Sequence, residues 1–260
     1  GTVQGALTEL HNGDHFGDCT PPVAVLPNGK TNLIALDLGA EGDPIKALQR
    51  VLELVESGRL EDHVVERQLI SLDSGGEGRP VLGMFLGGAG LADAMLYCRH
   101  KIYPLGLPNA IAHFLALILG LAAILIGRPA GFLPKPPRPM KVSVTEHGEL
   151  NGRFAFLMVT TLQRLLFSGN MPAGGHNGGA MQLLVIEPRI SSLLSALVAS
   201  IRGRLGRIRL AGVHLERGQE IRIEGDQSSV LLDGELFEAA GGRAIVLRPT
   251  APVPFLRLAV

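Results

Sequence analysis

Two short stretches carry side chains that could do chemistry together. Near the C-terminus, Asp233-Gly234-Glu235 sets two carboxylates on either side of a glycine. Such a pair can hold a divalent cation or take a proton from an alcohol, while Asp-Gly is also an ordinary tight turn. Near the N-terminus an apolar run, Val23-Ala24-Val25-Leu26, stops at Pro27 and meets Gly29-Lys30-Thr31-Asn32. A strand ending in a glycine turn leaves backbone N–H groups for phosphate oxygens. Gly29 allows close approach, Lys30 brings a cation, and Thr31 and Asn32 add donors. The spacing is not that of a Walker A loop, in which four residues separate an earlier Gly from the Gly-Lys-Ser/Thr.

Other chemistry-bearing residues have plainer readings. Asp93 either faces a ligand or caps a helix. His11 and His15 with Asp14 and Asp18 resemble a metal cluster, but a polar loop accounts for them. His63, His113 and His147 stand alone. Arg202, Arg204, Arg207 and Arg209 could meet phosphates or form a solvated basic flank. Cys19 and Cys98 lack metal-ligand spacing, read as small buried hydrophobes, and suit a reducing compartment.

The elements that must position these residues follow from periodicity. A helix is expected over residues 2–10, then a turn-rich loop over 11–22. The apolar run 23–26 is expected as a strand, followed by a short helix over 32–38 closed by Gly39. Asp43-Pro44 is an N-cap with proline at the first helical position. Ile45, Leu48, Leu52 and Val55 recur at helical spacing before Gly58. Beyond residue 60 the pattern changes to short apolar runs over 64–65, 68–72 and 80–86, read as antiparallel strands. Residues 91–102 and 110–126 read as helices, the second buried or bilayer-touching and too short to span. Prolines over 134–139 make an extended connector. Residues 141–145 and 153–160 are expected as a hairpin, with a Gly-rich loop over 170–179 and a strand over 180–186. A helix over 190–201 is followed by four strands, over 220–224, 229–232, 243–247 and 255–259.

The expected fold class is therefore an α/β nucleotide-binding domain, partial, over residues 1–60, followed by a β-rich α+β domain, sandwich-like and antiparallel, over 61–260. The chain has 24 basic and 24 acidic residues, a balance that gives no overall electrostatic footprint for nucleic acid.

The ordered motifs resemble the diacylglycerol kinase catalytic-domain family, which includes bacterial lipid kinases and sphingosine and ceramide kinases. Gly1-Thr2 is similar to the end of that family's Gly-Gly-Asp-Gly-Thr motif. Pro27, Gly29, Asn32 and Ala35 match Pro-x-Gly-Thr-x-Asn-Asp-x-Ala, and Asp233-Gly234-Glu235 matches the Asp-Gly-Glu near its C-terminus. Arg248-Pro249 and Val253-Pro254 echo its ending. The resemblance implies an ATP-dependent lipid kinase, with ATP and Mg2+ as cofactors, acting at a membrane surface on a diacylglycerol-like or long-chain-base lipid. It implies Glu235 as the base beside Asp233, with Gly1, Thr2, Gly29, Lys30, Thr31 and Asn32 around the phosphates and Asp93 toward the acceptor. A cytoplasmic, peripherally membrane-associated protein is expected, with a homodimer allowed.

Departures qualify that expectation. Lys30 stands where the family has Thr or Ser, and Leu33 where an acidic residue is common. Gln4-Gly5 replaces Asn-Glu, and Asn177-Gly178-Gly179 precedes the strand where Asp-Gly is usual. If Gly1-Thr2 closes the nucleotide motif, the preceding portion is missing and the chain is expected to be a fragment or truncated product with an incomplete nucleotide floor. Two alternatives stand beside the kinase: a non-catalytic lipid-binding protein on the same scaffold, and a nicotinamide-dinucleotide kinase-like enzyme.

Overall fold

A computed structural model describes the chain except at residues 1, 14–15, 17–19, 30–31, 75–77, 107–114, 116–117, 121, 124–136, 146–147, 163–180, 226–228, 240–241 and 259–260. The architecture is mixed α/β, dominated by antiparallel sheet. One six-stranded sheet runs in the order β3 (Val81–Gly83), β2 (Ile70–Asp73), β13 (Ile245–Pro249), β10 (Ile221–Glu224), β5 (Pro139–Val144), β6 (Gly148–Arg153). The other runs β12 (Glu235–Glu238), β11 (Ser229–Leu232), β4 (Phe85–Gly88), β7 (Phe156–Thr160), β8 (Met181–Ile186), β9 (Val213–Gly218). Alternation along strands such as Ile221-Arg222-Ile223-Glu224 turns the apolar residues inward. Val142, Ile221, Ile223 and Leu247 of one sheet thereby pack with Leu157, Val159, Leu183 and Val230 of the other.

A helical layer lies beside this sandwich: α1 (Thr2–Asn12), α2 (Leu33–Asp37) and α3 (Pro44–Glu56). A second apolar cluster joins Leu7, Val25, Ile34, Leu38 and Leu54 of this layer to Leu69, Leu82, Met84 and Phe255. A two-stranded ribbon, β1 (Val64–Arg67) with β14 (Val253–Leu256), sits within it. α3 starts as its sequence dictates: Asp43 is extended and its Oδ1 accepts the Ile45 N–H at 2.9 Å, with Pro44 next. Its inward face, however, is Ala47 and Leu54, whereas Ile45, Leu48, Leu52 and Val55 are exposed.

Three expected strands differ. The run 80–86 divides at Met84 into β3 and β4, which lie in different sheets. The run before Gly29 makes no ladder: Val23 forms a single parallel bridge to Phe255. Pro22 and Pro27 flank it without N–H donors, which limits pairing to that bridge. No parallel ladder, and so no Rossmann-like sheet, occurs among the described residues. The hairpin partner of β5 is β6, whereas residues 156–160 cross to the other sheet. The reason is burial. β6 is polar and lies at a sheet edge, but Phe156-Leu157-Met158-Val159 is apolar on both faces and takes a central position between β4 and β8.

Several expectations fall outside the described residues: Gly1, Lys30, Thr31, the Asp14, His15 and Asp18 cluster, Cys19, His113, His147, residues 134–136 of the connector and Asn177-Gly178-Gly179. Of residues 110–126, only 115, 118–120 and 122–123 are described, and these are helical. No helix among the described residues is long and apolar enough to cross a membrane.

Candidate functional site

The Asp-Gly pair forms the two-residue turn between β11 and β12. Asp233 has φ 47° and Gly234 has φ 92°, the doubly positive pattern whose twist suits an antiparallel hairpin. Asp233 does more than turn the chain. Its Oδ2 accepts the Met84 N–H and its Oδ1 the Phe85 N–H, both at 3.0 Å, and its own N–H donates to the Phe85 carbonyl at 2.8 Å.

Met84 is the corner where the chain leaves β3 in one sheet and enters β4 in the other. Its carbonyl accepts from Thr160 Oγ1 at 2.9 Å and from the Thr161 N–H at 3.1 Å. Asp233 and Thr160 thus clamp opposite sides of one peptide corner. Gly83 makes the approach feasible, because a Cβ there would lie 2.7 Å from Asp233 Oδ2 and 2.6 Å from Leu232 Cγ.

Although Asp233 as a residue is only half-buried, its carboxylate is enclosed, and burial pushes its pKa up to about 6 against the pull of the Met84 and Phe85 donors. Glu235 follows at the start of β12, partly exposed. The Arg99 guanidinium donates to the neighbouring Gly234 carbonyl at 3.2 Å. Arg99 belongs to the π-helical turn Cys98–Ile102 that continues α4 (Ala89–Tyr97), and α4 lies across β11, β4 and β7. Asp93 is half-buried in the interior of α4, whose N-cap is Gly88, so capping does not explain it.

The other motif closes on itself. Asn32 Oδ1 accepts the Gly29 N–H at 2.6 Å and its Nδ2 donates to the Pro27 carbonyl at 3.2 Å. Asn32 adopts φ 49°, ψ 29° and precedes α2, with its carbonyl accepting the Leu36 N–H. Its amide therefore fixes the loop's shape. Thr2 opens α1, which docks on β3 through Leu82 N–H to Thr8 Oγ1 at 3.0 Å. The Gly29 loop and the Met84 corner share one apolar cluster, since Val25, Ile34 and Met84 all belong to it.

The described carboxylates do not by themselves build a magnesium site. Asp233 commits both oxygens to backbone donors, and no group of three His, Cys, Asp or Glu side chains gathers among the described residues. A cavity of about 370 Å³ opens elsewhere, between the end of α1 at His11 and Asn12 and the turn at Pro252; Val253 and Pro254 line it, but Gly29, Asn32, Asp233 and Glu235 do not. Sequence reasoning missed Gly83, Met84, Thr160 and Arg99. The signals were a glycine between two apolar runs and a threonine pair ending an apolar strand.

No family model matches the chain and no curated protein matches it in sequence. Solved structures do. Two structures of a proposed diacylglycerol kinase from Bacillus anthracis str. Sterne each give a TM-score of 0.56 at 16% identity, covering 96% and 94% of this chain and 72% of theirs. A crystal structure of a diacylglycerol kinase from the same organism gives 0.53 at 14% identity, over 94% of this chain and 70% of that one. At low sequence identity but over most of its length, the chain has a fold consistent with the bacterial diacylglycerol and lipid kinase family.

Proposed function

We propose that this protein is a lipid kinase transferring the γ-phosphate of ATP, taken as its magnesium complex, to a hydroxyl of a diacylglycerol-like or long-chain-base lipid. The observation that carries the reading is the Asp233-Gly234-Glu235 hairpin, braced at the junction of the two sheets in a fold shared with diacylglycerol kinase structures. The lipid oxygen attacks the γ-phosphorus, the bond to the β–γ bridging oxygen breaks, ADP leaves, and Glu235 takes the hydroxyl proton. Asp233 positions Glu235 by holding the turn against Met84 and Phe85.

Gly1, Thr2, Gly29, Lys30 and Thr31 are assigned to the triphosphate, and Asn32 to the shape of their loop. Asp93, on the helix that crosses β11, is assigned to the lipid acceptor. Residues 1–60 form the nucleotide side and 61–260 the lipid side of a cytoplasmic, peripherally bound enzyme.

The test is transfer of labelled phosphate from ATP to diacylglycerol, sphingosine and ceramide in mixed micelles. Glu235→Gln lowers the rate by roughly 10² to 10⁴-fold with lipid binding unchanged. No incorporation into any of the lipid alcohols overturns the proposal. A second reading, a lipid binder that kept the scaffold without the chemistry, draws on Leu33 in place of an acid and on the inward-turned Asn32 amide. For that protein Glu235→Gln changes nothing measurable.

A further inference from the structure

Helix α5 (Ile190–Ile201) lies on the outer surface of the second sheet. Its inner face is fixed there: Ala196 and Leu193 pack on Met158, Leu184 and Ile186. The Ser192 hydroxyl donates to the Ala211 carbonyl at 2.9 Å, and a Cβ at Gly212 would lie 2.4 Å from Ser192 Oγ. The outer face is apolar and exposed. Leu194, Leu197, Val198 and Ile201 are 51%, 41%, 44% and 63% exposed, and their spacing places them on one stripe.

The segment that follows folds back onto the same end of the helix, with the Arg204 and Leu205 N–H groups both donating to the Ala199 carbonyl, at 2.7 and 3.1 Å. It brings Arg202, Arg204, Arg207 and Arg209, all exposed, together with Ile208, 47% exposed. Residues 188–213 contain five arginines and no carboxylate, in a chain whose formal net charge is zero. Arg189 is paired with Glu187 at 3.2 Å, but the four arginines of the fold-back make no ion pair among the described residues. A helix C-terminus favours a nearby cation, which accounts for Arg202 but not for Arg207 and Arg209 further on.

We propose that the outer face of α5 and the arginine segment behind it form a membrane-docking surface that lays the protein on an anionic bilayer. Aliphatic side chains enter the acyl boundary and the guanidinium groups meet acidic headgroups, the usual division of labour in an interfacial helix. The absence of aromatic residues from 188–213 disfavours a single-stranded nucleic-acid surface, which would stack bases. The apolar stripe on α3 lacks this charge: Glu53 and Glu56 lie on the same helix as Lys46 and Arg50. The surface gives the lipid-kinase reading its orientation at the bilayer, and in that sense rests on it.

The chain contains no Trp, so Leu197→Trp supplies a single fluorescent reporter on the stripe. The protein is titrated with vesicles of phosphatidylcholine alone or with phosphatidylserine, neither of which offers an alcohol to a kinase. The expected result is a blue-shifted reporter and binding with phosphatidylserine only, weakened by salt. Binding falls roughly fivefold for each of Arg202, Arg204, Arg207 and Arg209 changed to Gln. Equal binding to both vesicles, or unchanged binding after all four replacements, overturns the proposal. So does a stripe that Leu194→Asp shows to hold two copies together by sedimentation while vesicle binding persists. Phosphate transfer to short-chain diacylglycerol in detergent is measured in parallel. Transfer without vesicle binding rejects the surface and keeps the kinase, and binding without transfer keeps the surface and rejects the kinase.

Discussion

Asp233 carries two opposing forces on one carboxylate. Enclosure disfavours its charge, and the Met84 and Phe85 N–H groups favour it; enclosure wins, leaving the pKa at about 6. The folded-state pKa is raised above the unfolded value near 3.8, so the protonated form is the one the fold prefers. Its contribution to stability is fully present below about pH 4 and is lost as pH rises through 6. Asp233→Asn removes this dependence. Relative to the parent, the variant becomes more stable at pH 7.5 than at pH 4 by about 3 kcal/mol. Urea unfolding of both proteins across that range checks it, and a difference that stays flat with pH shows that burial does not govern Asp233.

At the scale of elements, the corner between β3 and β4 depends on an absent side chain. A Cβ on Gly83 would meet Leu232, a fully buried residue with no room to retreat, and the carboxylate that holds the turn. Gly83→Ala costs about 2 kcal/mol by overpacking, measured by urea unfolding, and lowers phosphate transfer by displacing the hairpin that carries Glu235. The cap of α3 is simpler: Asp43→Ala costs about 1 kcal/mol and leaves transfer unchanged.

These two elements also mark what sequence could reveal. α3 was legible because its signals are local: Asp43, Pro44 and Gly58 act within a few residues of where they stand. The Asp233-Gly234 turn was legible for the same reason. Its clamp on Met84 was not, since the partners are 149 residues apart and nothing local marks them. The crossing at Phe154 and Ala155 was missed because two strands in succession look alike whether or not they share a sheet. The apolar residues of α3 were legible as a stripe, but which face the fold would cover depends on partners that periodicity does not name.

At the scale of the molecule, the C-terminal strand ties the helical layer to the sheets. β14 pairs with β1 along one side and meets Val23 on the other, where the Val23 N–H donates to the Pro254 carbonyl and the Leu256 N–H to the Val23 carbonyl. Past its end, the Leu258 N–H donates to the Leu38 carbonyl and the Arg257 N–H to the His63 carbonyl. Phe255, fully buried, sits in the middle of this seam with Leu7, Val25 and Ile34 in the same cluster. Removing its ring leaves a cavity that main-chain bonds on both sides prevent from collapsing. Phe255→Ala is therefore expected to cost about 3 to 5 kcal/mol. Because the seam joins both layers, the loss falls on the whole molecule: amides of α3 and of β8 lose exchange protection together as urea is raised. If α3 opens at lower urea while β8 keeps its protection, the helical layer is a separate unit of stability and Phe255 holds only that unit in place.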